Sequence, residues 1–444
     1  MMRWVGRTAG GKGVAVSKLA LVVATVAGLA GLTGLAGLAG VAPRARAATS
    51  AKVTLTVMTP ESENPAAIDW YNKVLKPAFE KETGIALNLQ ITDWNTYLQK
   101  LPVLFAGGRG PDVFVAGGEL LGTYVKARMV QPLDKWTDHW AGLQDYPKAA
   151  LLDGTIGGQL YTVPYRLDQR IFYYRKDIFE QSGLDPRRPP QTWDDLVDMG
   201  RKLVVRDEKG EFKRDAINLW PHWSNVAPFV LQNGGRFVTT DGKRAAFDSP
   251  QAIEALQFFV DLSQKYKIAG PWGSPYQGVE SVVAGTAAMQ YGGAFVLGQM
   301  ASADPKNVDE LGVTLPPKKV NRSGLLYVNK WAMSRTTKNP DAAWKFIEFA
   351  TRPEVLAEIS RINSHVPARI SAIKGFSPWR DDPRWLAFLA AADETIPFPA
   401  NANKLGDVMS AIEAAVRTTL EGKQGLQQAV ATEAERATQI LQGR

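Results

Sequence analysis

Between residues 53 and 116 the apolar pattern changes period four times, and those changes dictate the architecture. Val53, Leu55 and Val57 alternate with Thr54 and Thr56, the period of a half-buried strand. A polar loop follows, in which Asn64-Pro65 reads as helix N-cap and first helical residue. Ile68, Tyr71, Leu75 and Phe79 share one helical face, and Gly84 ends it. Ile85, Leu87, Leu89 and Ile91 return to period two, and Asp93-Trp94 opens a second helix. Gly107-Gly108-Arg109-Gly110-Pro111 then turns into Asp112-Val113-Phe114-Val115, a strand apolar enough to be buried on both faces. Strand, helix, strand, helix, strand builds an open parallel α/β sheet. Ligands of such sheets sit beyond the carboxyl ends of the strands, here residues 61–64, 93–94 and 116–119.

The same alternation continues. Thr192-Trp193-Asp194-Asp195 is a capping-box-like helix start. Ser249-Pro250 opens a helix with Ile253, Leu256 and Val260, and Asn339-Pro340 one with Trp344, Phe346, Ile347 and Phe349. A last amphipathic helix carries Val408, Ile412 and Val416 and stops near Gly422. Neither an internal repeat nor a low-complexity linker follows Ala48, so two lobes with several short crossings are expected.

Residues 1–47 read as a secretory signal peptide. Arg3, Arg7, Lys12 and Lys18 precede an uncharged run over 19–42, and Ala45-Arg46-Ala47 supplies small residues at cleavage spacing. The run is also long enough to span a bilayer, so an uncleaved anchor is the alternative. The expected location is across the inner membrane: periplasmic, or held on its outer side. The 397 residues left exceed what one core organises, so two domains are the default. The net charge of +8 misleads, because six of the basic residues lie in the leader with no acid beside them, which leaves +2. That excludes a broad nucleic-acid footprint. The chain has no Cys and three His, none at metal-ligand spacing with another, so neither disulfides nor a zinc site is expected. Phosphate-loop, dinucleotide, nucleophile-elbow and zincin motifs are absent, and no cofactor is expected.

Four segments together resemble the extracellular solute-binding proteins of ABC importers, the sugar-binding group that includes the maltose-binding protein. They are Ala106-Gly107-Gly108-Arg109-Gly110-Pro111-Asp112-Val113-Phe114 with Gln131-Pro132-Leu133-Asp134; Tyr161-Thr162-Val163-Pro164-Tyr165 with Tyr173-Tyr174-Arg175-Lys176-Asp177; Gly285-Thr286-Ala287-Ala288-Met289 with Gly292-Gly293; and Asn339-Pro340-Asp341-Ala342-Ala343-Trp344. Arg175, Phe295 and Asn329-Lys330 depart from the family's usual residues, which bears on the ligand rather than on the fold. The resemblance implies a two-lobed periplasmic-binding-protein fold, each lobe an open, mainly parallel sheet flanked by helices, with the ligand between. Residues 51–164 and 325–383 would form the first lobe, 165–324 and 384–444 the second. It further implies hinge closure, delivery to membrane permease subunits, a separate ATPase chain, no catalysis and a monomer.

A sugar presents flat C–H faces and a rim of hydroxyls, which suit aromatic rings and planar polar groups. The candidates are chosen on that chemistry. Glu61, Asn64, Trp94 and Glu119 lie at strand ends. Tyr165 and Asp168 lie at the first crossing, Asp168 matching a ligand-contacting carboxylate of the family. His222 and Trp223 belong to the densest aromatic cluster, Trp220-Pro221-His222-Trp223, which reads as a cleft wall. Trp272 sits in a turn-rich loop, and Tyr291 and Phe295 flank the pair Gly292-Gly293, where the lack of side chains lets a ligand approach the backbone, the Phe matching a stacking Trp of the family. Tyr327, Asn329 and Trp331 alternate along the second crossing. Trp136, Trp140, Trp193, Trp344, Trp379 and Trp385 read as structural. Two other classes stay open. Arg166, Arg170 and Lys330 could pair with a glycerol phosphate or another small anion, in a binder of polyols or anionic solutes. A carbohydrate-active enzyme would draw on Glu61, Glu63, Glu119 and Asp168.

Overall fold

The computed structural model describes residues 53–443, other than 63, 271–278, 397, 398 and 400. The expected signal peptide and Trp272 lie outside the described residues. The opening alternation is present: β1 (Thr54–Thr59), a helical stretch over 65–83, β2 (Ala86–Ile91), a helix over Trp94–Ala106 and β3 (Val113–Ala116). Asn64 caps the first helix, its side-chain oxygen accepting from the Ala66 amide at 3.0 Å, with Pro65 in the first turn. Asp93 caps the next by accepting from Thr96 N at 2.9 Å. Gly84 closes the first helical stretch at φ +72°, a conformation that suits a residue without Cβ.

β4 (Thr162–Arg175), β5 (Phe212–Ile217), β6 (Ala287–Gly292), β7 (Leu311–Thr314) and β8 (Leu325–Met333) complete the main strands. Their hydrogen-bonded order is β2-β1-β3-β8-β4-β6-β5, with β7 on β4. The strands at either end pair in parallel: β1 with β2 and β3, and β5 with β6. The two long strands between them run antiparallel to their neighbours. β4 serves both halves. Its residues 162–170 pair with β8, and its residues 171–175 pair with β6 and β7.

Two hydrophobic clusters flank this strand. One gathers Leu55, Phe79, Val113, Phe114, Trp331, Trp344, Phe346, Trp379, Trp385 and Phe388. The other gathers Phe172, Trp193, Phe229, Leu256, Phe259, Val408 and Ile412. Trp385 and Phe388 lie past the expected lobe boundary at 383, because the helix Pro383–Glu394 lays its aromatic face on Trp379 and Tyr173. Gly422 ends the helix Leu405–Leu420 as expected, but a further helix, Leu426–Gln442, follows. Half of its buried face is alanine (Ala429, Ala434, Ala437), so its apolar stripe is faint in the sequence. No helix among the described residues is long and apolar enough to cross a membrane.

Candidate functional site

A cavity of about 650 Å³ opens where the ends of β1 and β2 face the helix Phe295–Ala303, with β4 as its floor. Five expected residues line it: Glu61, Asn64, Trp94, Asp168 and Phe295. Capping explains why three of them are there. Asn64 and Asp93 start helices at the carboxyl ends of β1 and β2, which brings Glu61, Asn64 and Trp94 to one edge.

Glu61 is the centre of a network. Its Oε1 accepts from the Tyr165 hydroxyl at 2.9 Å and from Arg166 Nη1 at 3.0 Å, and its Oε2 accepts from Asn363 Nδ2 at 2.9 Å. Asn64 Nδ2 donates to the Ile362 carbonyl and to Asn363 Oδ1. Arg166 also lies 3.1 Å from His365 Nδ1, and donates to the Asn329 amide oxygen through Nη2 at 2.8 Å and Nε at 3.0 Å. Burial and the neighbouring Arg166 charge hold the His365 pKa well below the usual imidazole value, so its ring stays neutral.

Across the floor, Asp168 accepts from Arg170 Nη1 at 2.5 Å, and that guanidinium lies 5.5 Å from the Phe295 ring centroid. Gly293 makes this convergence feasible. A Cβ there would fall 2.6 Å from Phe295, 2.7 Å from Arg170 and 2.8 Å from Asp168.

A second group of expected residues meets outside this cavity's lining. Tyr327 pairs with Asp168 across the β8–β4 ladder, and its ring stands 6.4 Å from that of Trp223. Its hydroxyl bonds Glu119, whose pKa burial raises above the ordinary carboxylate value. Glu119 Oε2 is buried without a hydrogen-bond partner among the described residues. His222 caps the helix Trp223–Gln232, and burial lowers its pKa.

Four expectations land in the interior instead. Trp331 is 2 % exposed, stacked on Tyr165 at 5.0 Å and edge-on to Phe346. Tyr291 is buried in the second cluster, its hydroxyl accepting from Gln232 Nε2. Gly292 is a buried strand residue where a Cβ would strike Val296 at 2.7 Å, so its small size serves helix packing. Asn329 is buried and occupied by Arg166. Alternation on β8 places Tyr327, Asn329 and Trp331 on one face, but the ladder slips between Asn329 and Lys330 and splits that face. Tyr165 is buried too, reaching the cavity's wall only through its bond to Glu61.

The reading of the sequence missed Asn363, Ser364 and His365 as lining residues. They follow the helix Pro353–Ile362, and Ser364 takes φ +51°. A polar trio cutting off an amphipathic helix was the available signal. Gln299 and Ser302, on the facing helix, carried none. Among the described residues no group of three His, Asp or Glu is placed to hold a metal ion.

The sequence profile of the family described as bacterial extracellular solute-binding protein matches residues 64–357. A protein of Brucella abortus named as a binding protein is 26 % identical over 337 residues, 73 % of this chain and 77 % of that one. The maltotriose-binding protein of Pyrococcus abyssi is 25 % identical over 332 residues, 72 % of this chain and 68 % of its own. An ABC-transporter solute-binding protein of Thermotoga lettingae, crystallised with α-D-tagatose, superposes with a TM-score of 0.72 at 25 % identity, covering 88 % of this chain and all of that one. Two end sheets sharing one long strand, and a polar and aromatic cavity at the strand ends, accord with these likenesses, and the chain belongs to the bacterial extracellular solute-binding protein family.

Proposed function

We propose that this protein captures a carbohydrate between two closing lobes and delivers it to the permease of an ABC importer. One observation carries the reading. The 650 Å³ cavity pairs two aromatic rings, Trp94 and Phe295, with the planar polar groups of Glu61, Asn64, Asp168 and Asn363. Rings suit the C–H faces of a sugar, and carboxylates and amides suit its hydroxyls. The maltotriose-binding relative and the tagatose-bound structure support the same class. We assign the lobes to the two hydrophobic clusters, joined by β4 and by the segments on either side of β8. Residues 1–47 would be the export signal and the mature protein a monomer outside the inner membrane.

The competing classes lose their chemistry. The cations an anionic ligand would need are engaged: Arg166 with Glu61, Arg170 with Asp168, and Lys330 with Asp153. Glycoside hydrolysis calls for two carboxyls flanking the scissile bond; Glu61 and Asp168 are each ion-paired with an arginine, and Glu119, whose pKa burial raises, lies outside the cavity's lining. Thermal denaturation against a broad panel of mono- and oligosaccharides tests the proposal. A true ligand at 100 times its Kd stabilises by about 2.7 kcal/mol. No shift with any sugar at millimolar concentration refutes it.

A further inference from the structure

Gly298 sits inside the helix Phe295–Ala303, a setting where only proline is less favoured than glycine. The backbone there does not ask for it, since Gly298 is not among the glycines held at positive φ. What asks for it lies across the cavity. A Cβ at Gly298 would fall 2.6 Å from Ser364 Oγ and 2.8 Å from Ser364 Cβ, well inside ordinary van der Waals contact.

Both residues line the 650 Å³ cavity, and they come from opposite walls. The helix of Gly298 follows β6, which pairs with the second part of β4. Ser364 follows the helix Pro353–Ile362, which packs on the helix that Asn64 caps. The walls meet here, backbone against side chain. Neither has slack. Ser364 lies at φ +51° between Asn363, whose amide bonds Glu61, and His365, whose ring nitrogen meets Arg166. Opposite, Val296, Leu297 and Met300 are buried, and Gln299 Oε1 accepts from Glu280 N at 2.9 Å. A side chain at position 298 is therefore relieved only by moving one wall away from the other.

We infer that Gly298 is a positioning residue that sets how closely the two walls shut on a carbohydrate. The inference rests on the proposed capture and names a residue that governs it. With the walls in contact, Phe295 and Gln299 on the helix share one enclosure with Asn64 and Trp94 at the strand ends. A spacer at 298 keeps a ligand from touching both walls at once. An unliganded molecule whose walls stand apart does not feel the spacer.

The test combines calorimetry and melting on Gly298→Ala, Gly298→Leu, Ser364→Gly and the double variant Gly298→Ala/Ser364→Gly. The probes are D-glucose, D-mannose and their α-1,4- and β-1,4-linked oligomers within the broad sugar panel, and the sugar the wild type binds most tightly is carried through the variants. Its Kd should rise about tenfold with alanine, the scale of an overpacked contact, and further with leucine. Melting of the unliganded protein should hold or rise, because both residues are better helix formers than glycine. In the Ser364→Gly background the obstructing Cβ is gone and φ +51° suits the new residue, so alanine at 298 should cost about twofold or less. A lower melting temperature of unliganded Gly298→Ala, or the same loss of affinity in both backgrounds, makes this contact ordinary packing; either result overturns the inference and leaves the carbohydrate function standing. Silence of the wild type toward every sugar removes the function and this inference with it.

Discussion

Arg166 and Glu61 lie 105 positions apart in the chain and 3.0 Å apart in space, with side chains 9 % and 5 % exposed. The loop after β1 is thereby tied to the strand shared by both halves of the sheet. Tyr165, Asn363, Asn329 and His365 complete the hydrogen bonding around the pair, the condition under which a buried ion pair is tolerable.

Removing one partner strands the other. Arg166→Met leaves the Glu61 carboxylate buried with two neutral donors, and urea unfolding should show a loss of about 3–5 kcal/mol. Adding Glu61→Gln to that variant should recover part of the loss, because no charge then remains to be solvated. A loss below about 1 kcal/mol, the scale of an exposed pair, would show that water reaches the site.

His365 makes folding acid-sensitive. Its folded pKa lies well below the ordinary value near 6.5, through burial and the Arg166 charge. Below that pH the unfolded chain binds a proton that the folded chain refuses, so this residue's contribution falls as pH drops, by about 1.4 kcal/mol per unit until the folded pKa is reached. Asp153 acts in the opposite sense, since burial raises its pKa, to about 6. Its contribution is lost as pH rises from the carboxylate range toward that value. Comparing the wild type with His365→Gln between pH 7.5 and 5.5 separates the two. The variant should show a flatter decline, and parallel curves would mean that His365 already titrates normally.

What the sequence made legible followed from local chemistry. Asn64, Asp93 and Thr192 are caps whose partners lie two or three residues away, and all three start helices where their spacing places them. Those caps also delivered Glu61, Asn64 and Trp94 to the cavity. The failures came from distant packing. Nothing near Trp331 in the chain reveals that Tyr165 and Phe346 cover it. Nothing near His365 announces Arg166. The slip between Asn329 and Lys330 is a property of the β8–β4 ladder and invisible in either strand alone.

Trp331 and Phe295 should therefore separate stability from binding. Trp331→Ala empties a core position and should cost about 3–5 kcal/mol in urea unfolding, with the Kd of the folded fraction little changed. Phe295→Ala removes a ring from the cavity lining and should weaken ligand binding in calorimetry at a smaller cost in melting temperature. The reverse pattern would exchange their roles.

Asp168→Asn distinguishes the ligand classes by sign. The Asp168–Arg170 pair is partly exposed, at 24 % and 20 %, so its loss should leave melting of the unliganded protein nearly unchanged. A neutral hydroxyl-rich ligand loses a charge-assisted acceptor, worth about 1.5–3 kcal/mol, and its Kd should rise about ten- to a hundredfold. An anionic ligand meets the opposite change. With the carboxylate gone, Arg170 keeps its charge beside the Phe295 ring without its counter-ion, so anion affinity should increase. Calorimetry with a sugar and with sn-glycerol 3-phosphate on both proteins reads the two directions. Weaker sugar binding supports the carbohydrate reading. Tighter phosphate binding with no sugar response would move the protein to the anionic class, and no change in either would confine Asp168 to holding Arg170.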